Sequence, residues 1–241
     1  MKKLLFTLAA VFFLTSLYAQ EEEVSDYVEA PEADEFYEEN KTAQQAPFPI
    51  DFVMQFEPAL YLNTESTLVS APSPIVYPIS IGFLWPERSR IAVQPTLSFF
   101  MMNHLLYEDK ALPAEIENRT TTTLSFMLNI PAVFSVFLDN SQFQFSGGLG
   151  VLMRFGLLSP GVKEADSGWS GTAGGDVEKI NDYFWNDMRW LYATAGISWL
   201  YNLTPQLRAG PTINVYMPVG GLISDGSAQA MIISAGIKIC R

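Results

Sequence analysis

The chain has 241 residues, 49% of them hydrophobic and 17% charged, with a formal net charge of −12 at pH 7. That balance excludes a basic groove for nucleic acid, and a lone cysteine, Cys240, excludes an intrachain disulfide. Beyond the first segment no window holds about 18 consecutive apolar residues, which argues against a helical membrane span.

In chain order, Met1-Lys2-Lys3 precedes an apolar run from Leu4 to Leu17, with the small residue Ala19 at its exit. A basic start, a short apolar core of about 14 residues and a small exit residue read as a secretory signal over 1–19 rather than as a membrane anchor. Residues 20–49 form a second unit. Glu21 to Asn40 carries ten acidic side chains and no basic one, so it repels itself and is expected to be a disordered, solvated periplasmic segment. Without those ten acids and Lys2 and Lys3, the charged groups number 12 basic and 16 acidic, a net of −4.

From residue 50 to 241 the pattern changes to period two, the mark of a strand with two unlike faces. Eight strands are predicted. The first, 51–62, places Phe52, Met54, Phe56, Pro58 and Leu60 outward and Val53, Gln55, Glu57, Ala59 and Tyr61 inward. The second, 76–86, turns Tyr77, Ile79, Ile81, Phe83 and Trp85 outward. The third, 90–105, has Ile91, Val93, Leu97, Phe99 and Met101 outward against Gln94, Thr96, Ser98 and His104. The fourth, 119–137, sets Leu124, Phe126, Leu128, Ile130 and Phe134 against Thr123, Ser125 and Asn129. The fifth, 142–157, sets Phe143, Phe145, Leu149, Val151, Met153 and Phe155 against Gln142, Gln144 and Arg154. The sixth, 189–202, shows Ile197, Trp199 and Tyr201 outward. The seventh, 206–218, turns Arg208, Thr212, Asn214 and Tyr216 inward. The eighth, 228–240, pairs outward Ile233, Ile237 and Ile239 with inward Ser234 and Lys238.

Pro58, Pro78, Pro95, Pro131 and Pro211 fall inside these strands. Each removes a ladder donor and predicts a bulge, a bend or a strand end, with a bend in the fourth strand at Pro131.

The links alternate. Those at 87–89, 139–141 and 203–205 are tight; those at 63–75, 106–118, 158–188 and 219–227 are long. Short periplasmic turns and long outer loops are the rule for membrane barrels with an even strand count, which puts both termini in the periplasm. Trp85, Phe137, Phe143, Trp199 and Tyr201 fall near the short turns and Tyr61, Phe155 and Trp190 near the long loops, as two interfacial aromatic girdles require. The fold class predicted is all-β: a closed antiparallel up-and-down eight-stranded transmembrane β-barrel.

On these residues the segment 50–241 resembles the small eight-stranded outer-membrane barrels that include the OmpA transmembrane domain and the OmpW-like proteins. The resemblance implies outer-membrane lipids as surroundings, barrel assembly machinery and periplasmic chaperones as partners in biogenesis, and an extracellular ligand at the loops. One departure is the ending Lys238-Ile239-Cys240-Arg241, where such proteins usually end on an aromatic residue, so an atypical assembly signal is expected.

Eight strands enclose a bore that side chains can fill. The inward charges Glu57, Arg154, Arg208 and Lys238 are candidate lumen groups, with Glu57 and Lys238 expected to pair across the seam between the first and last strands. Trp169, Tyr183, Phe184 and Trp185, in the longest loop, are candidate surface contacts, since function concentrates on loops carried by a rigid scaffold. Residues 180–188 are open to a second reading as an upward extension of the sixth strand. His104 with Glu108 and Asp109 raises a barrel enzyme as a competing idea, but no nucleophile stands at a fixed spacing. No catalytic residue, metal site or cofactor is expected. The reading is a non-enzymatic outer-membrane barrel with a structural or surface-interaction role, and the alternative is an OmpW-like conduit for small hydrophobic molecules.

Overall fold

A strand with one apolar face hides it against a core or against lipid, and a sheet disposes of its edge donors only by closing on itself. In the computed structural model, which describes residues 50–241 apart from 65–67, 88 and 225, the sheet closes. The signal and acidic-segment readings for 1–19 and 20–49 lie outside the described residues.

The strand segments are β1 (Asp51–Phe56), β2 (Ala59–Tyr61), β3 (Ile75–Val76), β4 (Ile79–Leu84), β5 (Ile91–Val93) and β6 (Thr96–Tyr107). They continue as β7 (Lys110–Pro113), β8 (Thr121–Phe137), β9 (Ser141–Leu158), β10 (Leu191–Asn202), β11 (Arg208–Pro218) and β12 (Ile232–Cys240). Eight barrel strands arise because β1 continues as β2, β3 as β4 and β5 as β6. Every barrel strand is antiparallel to its neighbours in chain order, and β12 closes on β1 and β2, with Val53 opposite Cys240 and Tyr61 opposite Ile232. β7 folds back on β6 above the barrel through a two-residue turn, Glu108-Asp109. Both turn residues have positive φ, 49° and 58°, the backbone twist that such tight hairpins need.

The outward and inward sets follow the alternation. In β1 and β2 the odd positions Asp51, Val53, Gln55, Ala59 and Tyr61 are buried while Phe52, Met54, Phe56 and Leu60 are exposed. The same holds along β8 and β9, whose exposed residues Leu128, Ile130, Phe134, Phe145, Leu149 and Phe155 form a continuous apolar belt. Near the short turns, Phe143 stacks on Trp199 at 5.3 Å and Trp199 meets Tyr201 at 4.6 Å, both on the outer face. Tyr61 leaves the predicted outer girdle, because its odd position turns it into the lumen, where it is buried.

The prolines act more gently than expected. Pro58, Pro78 and Pro95 lie in the gaps between β1 and β2, β3 and β4, and β5 and β6, yet the register is the same on both sides of each gap. No residue is inserted, so these are missing hydrogen bonds rather than bulges. The Glu57 amide donates to the Pro78 carbonyl at 3.1 Å and the Gln94 amide to the Pro131 carbonyl at 3.0 Å. Only the return bond from each proline is lost. β8 therefore runs unbroken through Pro131, and Pro211 likewise sits within β11.

Inward glycines let neighbouring strands approach at these points. A Cβ on Gly236 would stand 2.0 Å from the Phe56 carbonyl oxygen and 2.7 Å from Glu57 Cα. One on Gly148 would stand 2.5 Å from Pro131 Cα.

Gly236→Ala is therefore expected to cost about 1–3 kcal/mol through overpacking. The temperature at which the folded form disappears on a detergent gel should drop for this variant. It should stay put for Gly147→Ala, whose Cβ meets nothing nearer than 3.8 Å. Equal behaviour of the two variants would contradict the close-approach account.

Candidate functional site

Inward positions of a closed barrel leave water together, so their polar groups must satisfy one another. Five levels fill this lumen. At the short-turn end Arg208 forms a buried ion pair with Asp51 and donates from Nη1 to Gln142 Oε1 at 2.9 Å. Above it Val53, Leu84, Ala92, Val133, Leu200 and Cys240 make an apolar layer. At mid-height Lys238 Nζ donates to Gln94 Oε1 and, at 2.6 Å, to Gln144 Oε1. Glu57 accepts from Asn214 Nδ2 and, at 3.3 Å, from the Tyr216 hydroxyl. Small hydroxyls line the walls there, Ser80 to Ser98 at 2.7 Å and Ser198 to Thr212 at 2.9 Å.

All four sequence-predicted lumen charges, Glu57, Arg154, Arg208 and Lys238, are buried inside the barrel. The expected pairing of Glu57 with Lys238 is corrected. Lys238 stands opposite Gln55, not Glu57, in the seam register, and its long stem reaches across the lumen to the amides of Gln94 and Gln144. Glu57 takes neutral donors from β11 instead.

The next level departs from a purely polar interior. Tyr61, Phe100, Met102, Met127, Leu152, Tyr192 and Ile232 pack into a second apolar cluster. At the top, Arg154 donates to the Tyr61 hydroxyl at 3.2 Å and to the Arg189 carbonyl at 2.9 Å, and its guanidinium lies 4.0 Å from the centre of the Phe184 ring.

Phe184 belongs to a helix, α1 (Ala173–Trp185), within the longest loop. Thr172 caps it, accepting from the Gly175 amide at 3.1 Å. Asp176, in its first turn, accepts from the Trp169 amide at 3.1 Å and the Ser170 amide at 2.8 Å, which ties down the approaching loop. The face carrying Ala173, Asp176, Ile180 and Phe184 is buried. Asn181 docks the helix on β9: its Oδ1 accepts from the Gly156 amide at 2.7 Å and its Nδ2 donates to the Gly156 carbonyl at 3.1 Å. Ile180 and Phe184 pack on Leu106 and Ala111 of the β6–β7 hairpin. Helix α1 thus seats over the mouth of the barrel with Phe184 pushed inside.

This arrangement sorts the four loop aromatics. Trp169 (56% exposed) and Trp185 (44%) stand at the surface, Tyr183 is half-buried and Phe184 (1%) is buried. Phe184 is therefore corrected from a surface contact to a lumen plug, because it falls on the buried stripe of α1. The extension of the sixth strand into 180–188 is corrected too: these residues are the end of α1 and a 3-10 turn, Asn186–Met188. His104 lies in the lumen, fully buried, with Nδ1 2.7 Å from Thr123 Oγ1 and its ring edge-on to Phe184 at 5.0 Å. Glu108 and Asp109 form the exposed hairpin turn, where Asp109 pairs with Lys179 at 3.0 Å. The three do not assemble into a site.

A closed eight-stranded antiparallel barrel, apolar outside and filled inside, is the architecture of the small outer-membrane barrels. No family model matches this chain, and no curated protein does. Among solved structures the chain is similar to Ail, the attachment invasion locus protein of Yersinia pestis, at 6% identity and a TM-score of 0.43, covering 79% of this chain and 95% of that one. It is also similar to Neisserial surface protein A, at 10% identity and a TM-score of 0.40, covering 80% and 95%. A designed transmembrane β-barrel matches at 9% identity and a TM-score of 0.34, covering 79% and 95%. The closed ladder, its single register and the facing of its strands define the barrel in this chain itself.

Breaking the Asp51–Arg208 pair from one side leaves a buried charge alone. Arg208→Met is expected to destabilise the barrel by about 3–5 kcal/mol, and the double variant with Asp51→Asn by less, because the orphaned carboxylate is gone. Urea unfolding in detergent measures both. A double variant worse than the single would contradict the pairing.

Proposed function

We propose that this protein is a non-enzymatic integral outer-membrane β-barrel whose role, structural or surface-binding, is carried by its outer loops. The observation that carries the reading is the combination of a continuous apolar belt outside with a lumen filled by successive polar and apolar layers and covered by α1. A conduit for small hydrophobic molecules needs an open path, and the buried Phe184, Arg154, Tyr61 and Tyr192 stand where that path would run. The long links and α1 gather at one end, and the β1 start and β12 end lie together at the other, where the Phe52 and Arg241 backbones exchange hydrogen bonds. The reading assigns the loop end to the cell exterior and both termini to the periplasm. Trp169, packed at a tilt against Tyr107 at 4.9 Å, and Trp185 then face outward as contact groups for an extracellular ligand. Outer-membrane lipids surround the belt, with assembly machinery and chaperones acting during biogenesis.

The test is labelling of intact expressing cells with a membrane-impermeant amine reagent. Lys110, Lys163 and Lys179, all exposed on the loop end, should react, while Lys41 should react only after the envelope is opened. The protein should need detergent for extraction and should migrate faster unheated than boiled. Loop lysines that stay unlabelled would reverse the orientation, and release without detergent would refute the membrane assignment. Liposomes carrying the protein should stay impermeable to small sugars and to small hydrophobic dyes; uptake would favour the conduit.

A further inference from the structure

The loop end carries far more acid than base. Over the four long links, 63–75, 106–118, 158–188 and 219–227, the sequence has twelve acidic side chains and three basic ones, Lys110, Lys163 and Lys179. Arg119 and Arg189, just past two of the links, do not restore the balance. Every residue of the links is counted, so none outside the described set can reverse the sign. A surface of one charge attracts partners of the other and turns away its own.

Charge alone defines no site, but an apolar crest stands beside the acids. Val69 is 92% exposed, Ile116 67% and Trp169 56%. The loop that carries Val69 and the turn that carries Ile116 are joined, because the Glu115 amide donates to the Ser70 carbonyl at 3.3 Å. Beneath them Leu68, Ala71 and Tyr107 pack with Leu105 and Leu112, and Trp169 leans on Tyr107 at 4.9 Å. Large apolar groups fixed in place and rimmed by polar ones mark an interaction surface, and tryptophan and tyrosine dominate the energy of such contacts. The crest rises from the long links, apart from the belt of strand residues that meets lipid.

A cleft adjoins the crest. Glu108 and Asp109 follow Tyr107 at the tip of the β6–β7 hairpin and face α1 across a space of about 440 Å³, which Asp182 and Asp187 also line. Asp109 pairs with Lys179 at 3.0 Å and Asp187 with Arg189 at 2.9 Å. Glu108 and Asp182, both exposed, are then the carboxylates placed to accept an incoming cation.

We propose that the loop end docks a cationic polypeptide segment, with a basic side chain entering the cleft between Glu108 and Asp182 and an apolar side chain resting on Trp169 and the crest. This rests on the loop-borne binding role above and names the chemistry of its partner. The acids repel a sulfated polysaccharide or an anionic lipid surface, and a bare polyamine would leave the crest uncovered. A chain bearing basic and apolar side chains covers both halves, and a cation near Trp169 gains from its ring face as well.

The experiment is selection from a library of random twelve-residue peptides on the full chain folded in nanodiscs of zwitterionic lipid, with empty discs removing background binders. The selected pool is expected to be enriched in Lys or Arg together with aliphatic or aromatic residues. Affinity for a selected peptide, read by fluorescence anisotropy, should fall at least about fivefold in Trp169→Ala and in the double variant Glu108→Gln with Asp182→Asn, and should weaken as salt rises. All three side chains are exposed, and both variants are checked for the heat-modifiable fold. Labelled heparin should not bind. No enrichment over empty discs, a pool that is acidic or without charge bias, affinity undiminished in either folded variant, or heparin bound in place of basic peptides would overturn the proposal. Labelling of the loop lysines on cells involves no partner. A failed selection with those lysines labelled sinks this inference alone, whereas unlabelled loop lysines sink the reading beneath it.

Discussion

Everything in this fold depends on closure of the backbone ladder. In hydrocarbon an unpaired amide or carbonyl has no water to turn to, so a sheet can cross only as a closed ring. The seam from β12 to β1 and β2 supplies that closure from Val53 to Tyr61, with one register throughout. The prolines show how tolerant the constraint is. A proline removes a donor but leaves the carbonyl, and where Pro78 and Pro131 face a neighbouring amide they still accept. The ladder loses single bonds and keeps its register.

Closure then dictates the interior. Once the strands ring a narrow bore, half of all side chains are withdrawn from bulk solvent whatever their polarity. The lumen resolves this by layering. Charged groups meet amides, hydroxyls or one another at the short-turn end and at mid-height, and two apolar layers separate and cap them. Lys238 held by two glutamines, and Glu57 by an asparagine and a tyrosine, are partnered without a direct ion pair. Helix α1 completes the filling. It is fastened by the Asn181 amide, which offers a donor and an acceptor to Gly156 as a strand residue would.

Much of this architecture was legible in the chain because period two is a strong signal when one face is uniformly apolar. The eight strands, their facing and the alternation of short and long links follow from it. The signal fails where both faces are apolar. Phe100, Met102, Met127 and Leu152 occupy inward positions among apolar neighbours, so nothing in the alternation marks them as a lumen layer. Asp51 stands at the very start of the first strand and reads as part of the approach to it. Helix α1 was hidden by Gly174 and Gly175, which lower helix propensity, and its buried stripe of Ala173, Asp176, Ile180 and Phe184 contains a carboxylate that a pattern of apolar residues would not include. Phe184 and Trp185 are adjacent in sequence yet end on opposite sides of that helix, a distinction that composition does not carry.

The central claim is that one face of each strand meets lipid and the other meets the packed lumen. It is tested most directly by placing a single bimane or nitroxide probe in turn at each position from 142 to 155, on protein refolded into bilayers, and measuring contact with probes or quenchers carried on the lipid chains. The account predicts contact that rises and falls with every residue, high at Phe143, Phe145, Leu149, Val151 and Phe155 and low at Gln142, Gln144, Leu152 and Arg154. Contact that is uniform along the segment, or high on the second set, would contradict it.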